Sequence, residues 1–125
     1  MTSQGTPYGR FRRALDRRQP TAALSAAAEL PHVSLTDALE LLLLLRDTDR
    51  PRFERAALRW HARYCAEARG VTLTEATAVL ALLGGLIESP PAAPAAALAE
   101  LLSSRGLDQP ARILIRWADG YGVRT

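Results

Sequence analysis

Four arginines, Arg52, Arg55, Arg59 and Arg63, recur every three or four residues in the stretch PRFERAALRWHARYCAE. A guanidinium is a rigid fork of donors that grips a carboxylate or a phosphate through two bonds at once, so the chemistry on offer is anion binding. On a helix the four share one arc, while Phe53, Ala57, Trp60 and Tyr64 cluster within about 60° of one another on a separate arc. Arg52 has Asp49 three residues before it and Arg63 has Glu67 four residues after it. Arg55 and Arg59 have no acid at those separations and lie one turn from each other. Like charges so placed cost about 0.2–0.5 kcal/mol per pair, which a helix tolerates. The face is therefore either a cationic surface awaiting an anionic partner or an ordinary solvated face whose arginine stems cover apolar surface.

A second stretch repeats the pattern. RAALRWHARY, Arg55 to Tyr64, matches RILIRWADGY, Arg112 to Tyr121, at both arginines, the tryptophan and the tyrosine. Both tryptophans of the chain fall in it. The candidate surface thus comprises Arg52, Arg55, Arg59, Arg63, Arg112 and Arg116, extended by Arg10, Arg13 and Arg17 near the N-terminus. Nucleic-acid phosphates or an acidic protein segment would suit it.

Other reactive side chains are few. His61 and Cys65 stand at i and i+4 and could both reach one ion, but the only other histidine is His32 and no second cysteine exists. A structural zinc site normally takes four such ligands, so no metal is expected. There is no glycine-rich phosphate loop after a strand and no nucleophile elbow, and most carboxylates alternate with arginines or stand at helix starts. The expectation is a protein without catalysis, cofactor or small-molecule substrate.

The elements that must hold these residues are helices. Alanine (23) and leucine (21) supply over a third of the chain and isoleucine plus valine only seven residues. Straight or γ-branched side chains such as these lose little rotamer freedom in a helix. Phe11, Ala14 and Leu15 mark a short first helix ended by Pro20, and a second runs from about Thr21 to Leu30. A third, from Leu35 to Arg46, is apolar almost all round, as in a helix enclosed by others. Asp49 and Pro51 open a fourth that reaches about Arg69, with Gly70 suited to a left-handed turn beyond it. Gly84 and Gly85 close a fifth. SPPAAPAAALAELLSS reads as a proline-rich loop entering an alanine-rich sixth helix, and a seventh spans about Gln109 to Gly120. Residues 47 to 50 would be the turn of a helix-turn-helix, although the helix after it is about twice the usual length of a recognition helix.

Within this series VSLTDALELLLLL, Val33 to Leu45, is nearly rewritten 38 residues later as VTLTEATAVLALL, Val71 to Leu83. Each copy places a hydroxyl, Ser34 or Thr72, three residues before an acid, Asp37 or Glu75. That spacing is a capping box, preceded by a valine able to staple the helix start. One amphipathic pair of helices cannot bury its apolar face alone, so a second copy stacks on it. With this period the chain resembles the α-helical hairpin repeats, the HEAT, armadillo and tetratricopeptide class, over residues 21 to 105. The resemblance implies an all-α fold in which two repeats of about 38 residues form a short right-handed array or a compact bundle of antiparallel helices. The texture also resembles small proteins of GC-rich bacteria, which implies no activity.

Size and charge bound the rest. A chain of 125 residues supports one core, so residues 10–125 are expected as a single helical domain behind a flexible arm over 1–9. All 16 basic residues are arginine, a bias that GC-rich coding alone produces. Residues 1 to 70 hold twelve arginines against eight acids and residues 71 to 125 four against five, so an anion-seeking surface belongs mostly to the first half. A lone Cys65 rules out an intramolecular disulfide framework and fits a reducing compartment. The N-terminus, MTSQGTPYGRFRR, has no apolar core of secretory length, and the run Leu41 to Leu45, bracketed by Glu40 and Arg46, falls far short of a membrane span. The expected protein is soluble and cytoplasmic, an interaction module that binds a protein partner or another copy of itself. The alternative is a nucleic-acid binder using its arginine face.

Overall fold

Capping residues and prolines set where the helices of this chain begin. In the computed structural model, which describes residues 6–123 and the side chains of residues 6–121, seven α-helices follow one another and no strand occurs among the described residues. They are α1 Pro7–Asp16, α2 Pro20–Ala28, α3 Leu35–Thr48, α4 Arg50–Glu67, α5 Leu73–Gly85, α6 Ala92–Ser104 and α7 Asp108–Val123. The all-α expectation holds. The chain divides into two compact units, Met1–Phe53 and Glu54–Thr125.

In the first unit, the Thr6 hydroxyl accepts the Gly9 amide at 2.9 Å and Pro7 fills the first helical position, where no amide proton is needed. Of the arm expected over residues 1–9, Met1–Gly5 lies outside the described residues, and Pro7, Tyr8 and Gly9 already form the first turn of α1. α1 ends through Arg18, a non-glycine residue at φ 55°, whose amide donates to Leu15 O at 3.0 Å. Phe11, Ala14 and Leu15 of α1 meet Ala23 and Ala26 of α2 and Leu44 of α3 in the unit's core. Leu42 to Leu45 are all buried, so four successive directions around α3 are covered, as its unbroken leucine run requires. Three arginines tie α1 and its C-terminal turn to the rest of the unit through four ion pairs: Arg10 to Glu29, Arg12 to both Asp37 and Glu40, and Arg18 to Asp47.

The caps of the duplicated segment form as the spacing predicts. Ser34 Oγ accepts the Asp37 amide at 3.0 Å and Thr72 Oγ1 the Glu75 amide at 3.1 Å. The reciprocal halves of the two boxes differ from expectation. Asp37 takes Arg12, and Glu75 takes Tyr64 and Arg105, because a guanidinium or a buried hydroxyl outcompetes an exposed cap amide for a carboxylate. Between α3 and α4 the turn expected over residues 47–50 shrinks to Asp49 alone. Its amide caps α3 by donating to Leu45 O at 2.7 Å, while its carboxylate accepts the Arg52 amide at 3.2 Å at the start of α4.

In the second unit α6 packs on both α5 and α7. Gly85 allows the α5–α6 approach: a Cβ there would stand 2.9 Å from Pro94 Cβ. Leu83, Leu86, Leu98, Leu102 and Leu114 are fully buried. Gly70 and Gly106 take the left-handed conformation (φ 63° and 79°) that ends α4 and α6. α7 does not stop at Gly120 but continues to Val123. Among the described residues no helix is long and apolar enough to cross a membrane.

Candidate functional site

α4 sorts its side chains as the 3.6-residue period requires. Phe53, Ala57, Trp60 and Tyr64 are buried, and the Trp60 and Tyr64 rings stack with centroids 5.7 Å apart. Of the four predicted arginines on this helix, two are engaged: Arg52 pairs with Asp49 at 3.5 Å and Arg63 with Glu67 at 2.8 Å. Arg63 Nη2 is nevertheless buried without a hydrogen-bond partner. Arg55 and Arg59 are exposed, and their side chains make no ion pair or hydrogen bond among the described residues. Between them Leu58 leaves 59% of its surface in solvent. The related pair in α7 behaves differently, since Trp117 and Tyr121 are half-buried and meet edge to face at 5.2 Å.

Arg112 and Arg116 border a groove of about 810 Å³ between α6 and α7. Its floor is Ala96 and Ala99 from α6 with Ala111 and Ile115 from α7. Small side chains on two facing helices leave space that larger ones would fill, and Ile115 stays 39% exposed there. The rim carries both signs of charge: Arg112 and Arg116 with Asp119 and Asp108 on α7, and Glu100 on α6. Neither Arg112 nor Arg116 forms an ion pair among the described residues; Asp108 accepts from Ser103 Oγ at 3.0 Å.

In the first unit Arg10, Arg13 and Arg17 lie along one side of a smaller groove of about 320 Å³ between α1 and α2. Arg10 reaches across it to Glu29 at 2.6 Å.

The titratable cluster with the most partners joins three helix ends. Tyr64 Oη donates to Glu75 Oε2 at 2.5 Å, and Arg105, just after α6, grips the same carboxylate with Nε at 2.8 Å and with Nη2. Its Nη1 donates to the carbonyl of Arg69, beyond the end of α4. Burial, reinforced by the Glu75 carboxylate, pushes the Tyr64 phenol up to about 12, while Arg105 and then Tyr64 hold Glu75 below the ordinary carboxylate range. Each polar atom here serves a neighbour, and the cluster's chemistry is that of a clamp.

His61 and Cys65 do come together, with Sγ 3.7 Å from Nε2. That nitrogen lies 2.7 Å from the Ala76 carbonyl, which can only accept, so Nε2 carries the proton and has no lone pair for an ion or a thiol. No group of three metal-ligating side chains occurs among the described residues.

Sequence reasoning named Arg112 and Arg116 but missed the groove, including Glu100, Asp108, Asp119 and Ile115. The signal was present in the alanine-rich sequence of α6; the opening arises where two faces of small residues meet. Compared with known proteins, the chain matches no family model, no curated protein and no solved structure.

Proposed function

We propose that the protein is a helical interaction module that receives an amphipathic helix of a partner protein in the groove between α6 and α7. One observation carries the reading: an alanine-floored channel of about 810 Å³ whose rim bears Arg112 and Arg116, neither of them ion-paired among the described residues, together with Glu100 and Asp119. An apolar floor and a polar rim are the anatomy of a helix-in-groove site. The acids decide the partner class, because Glu100, Asp108 and Asp119 would repel the phosphates that a nucleic-acid surface must neutralise. The complementary helix has an apolar stripe at i, i+3, i+4 and i+7, acids on the flank that meets Arg112 and Arg116, and a basic residue opposite Glu100.

Selection from a displayed library of random peptides tests this. Enriched sequences are expected to show that stripe with acidic flanks, and binding should be lost in Arg112→Glu/Arg116→Glu and blocked by Ala96→Leu, which fills the floor. Enrichment indifferent to all three substitutions, or none at all, contradicts the proposal. Salt-dependent retention of DNA or RNA abolished by Arg55→Glu/Arg59→Glu would favour the nucleic-acid reading instead.

A further inference from the structure

The second unit carries two open surfaces of opposite shape, the groove between α6 and α7 and the solvent-facing ridge of α4 from Glu54 onward. Along the ridge Leu58, Ala62 and Ala66 recur at i, i+4 and i+8, and all three are exposed. At 3.6 residues per turn Glu54 stands about 40° to one side of Leu58, while Arg55 and Arg59 stand about 60° and 100° to the other. The ridge is thus a narrow apolar crest with an acidic flank and a basic flank. Leu58 keeps 59% of its surface in water, although the opposite face of the same helix buries Phe53, Ala57, Trp60 and Tyr64.

The groove answers each of these parts. Its floor is alanine, its α6 bank carries Glu100, and its α7 bank carries Arg112 and Arg116, with Asp108 and Asp119 about one turn beyond them. The side chains of Glu54, Arg55, Arg59, Glu100, Arg112 and Arg116 make no ion pair or hydrogen bond among the described residues. Laid lengthwise in the groove, the ridge sets Leu58 on the alanine floor, Arg55 and Arg59 along the Glu100 bank, and Glu54 along the bank of Arg112 and Arg116. The ridge has one more base than acid and the groove's rim one more acid than base, so the two also match in net charge. Leu58 is open to solvent in its own chain, so ridge and groove meet only when a second copy supplies one of them. We infer that the occupant of the α6–α7 groove is the α4 ridge of a second copy of this chain. The inference rests on the reading of that groove as a receptor for a helix, and names its partner. At 1.5 Å per residue the crest from Glu54 to Ala66 is about 20 Å long. So short a contact falls at the small end of protein interfaces, under about 1,200 Å², and its association is weak and concentration-dependent. Ridge and groove are different surfaces, which makes the contact heterologous.

The test is sedimentation equilibrium of the full chain from about 20 µM to about 1 mM. The average mass is expected to rise with concentration to that of a dimer or beyond and to fall back as added salt screens the charge pairs. Over the same range the methyl signal of Ile115, in the groove, should move while that of Ile87 stays in place. Arg55→Glu/Arg59→Glu, which breaks the ridge, and Ala96→Leu, which fills the groove, should each remain monomeric. Mixed in equal amounts they should form a dimer, because one copy still has its groove and the other its ridge. Leu58→Ala should weaken association about tenfold, and circular dichroism checks that each variant remains helical. Two variants that stay monomeric when mixed, or association that persists in either alone, overturns the inference. So does an unaltered chain that is monomeric at about 1 mM; if peptides selected for binding still enter its groove, the groove keeps its reading and its partner is another protein, and if they do not, both readings fail.

Discussion

Replacing Trp60 by alanine decides whether the aromatic face of α4 is core or binding surface. Trp60 is 2% exposed and stacks on the fully buried Tyr64 at 5.7 Å. A large aromatic side chain buries roughly 150–250 Å², worth about 4–6 kcal/mol at 25 cal/mol per Å². Residual compaction of the unfolded chain lowers that by about 10–40%, to roughly 3–5 kcal/mol. Loss of the ring stack adds about 0.5–1.5 kcal/mol, and partial collapse of the neighbours returns a similar amount. The expected destabilisation is therefore about 4 kcal/mol. Taking an m-value of about 1.5 kcal/mol/M, within the usual range for small proteins, the urea midpoint should fall by about 2–3 M. Far-UV circular dichroism is the proper probe, because the substitution also removes one of the two fluorescent indoles. A fall of less than about 0.5 M would refute the reasoning and place the indole at a surface built for contact.

Two neighbouring glycines should respond in opposite directions to alanine. Gly84→Ala meets no atom within 4 Å and should raise stability by a few tenths to about 1 kcal/mol in urea titration, whereas Gly85→Ala drives its methyl into Pro94 Cβ at 2.9 Å and should cost about 1–3 kcal/mol. The Tyr64–Glu75–Arg105 clamp should show itself at both ends of the pH scale. Tyr64 is raised from 10.0 to about 12, so its contribution is intact below pH 10 and fades as pH climbs through about 12; the highest phenolate step in ultraviolet difference titration should vanish in Tyr64→Phe. Glu75 is lowered from 4.5, so its contribution is intact above pH 4.5 and fades as pH falls through the depressed value; Glu75→Gln should make stability less sensitive to acid. Arg55→Glu/Arg59→Glu should change stability by less than about 1 kcal/mol, because neither arginine has a partner among the described residues to lose. A larger loss in thermal unfolding would show that the two arginines serve the fold.

Features governed by near neighbours along the chain were legible before any coordinates. Ser34 and Thr72 cap α3 and α5 because the N-cap bond spans three residues, and Gly70 takes its left-handed turn because glycine alone adopts it at no steric cost. Arg55 and Arg59 were recognisable as unneutralised from the acids missing one turn away. Features set at long range were not. The acids of the two capping boxes bind arginines 25 and 30 positions distant, Arg12 and Arg105, and no local pattern announces that choice. Gly120 reads as a stop, yet α7 runs through it, since one glycine costs a helix only about 1 kcal/mol. Arg18 takes a left-handed turn that its residue type disfavours, in a place where its side chain reaches Asp47. The α6–α7 groove was illegible for another reason: an opening belongs to neither helix, and its charged rim becomes visible only when both alanine faces are placed together.

The chain contains three isoleucines, Ile87, Ile113 and Ile115, so a spectrum of labelled isoleucine methyl groups contains three signals. Ile115 alone lines the α6–α7 groove, and Ile87 lies outside it. With a peptide selected for binding, the account predicts that the Ile115 signal shifts progressively to saturation while that of Ile87 stays in place. Bound peptide with an unmoved Ile115 would contradict it.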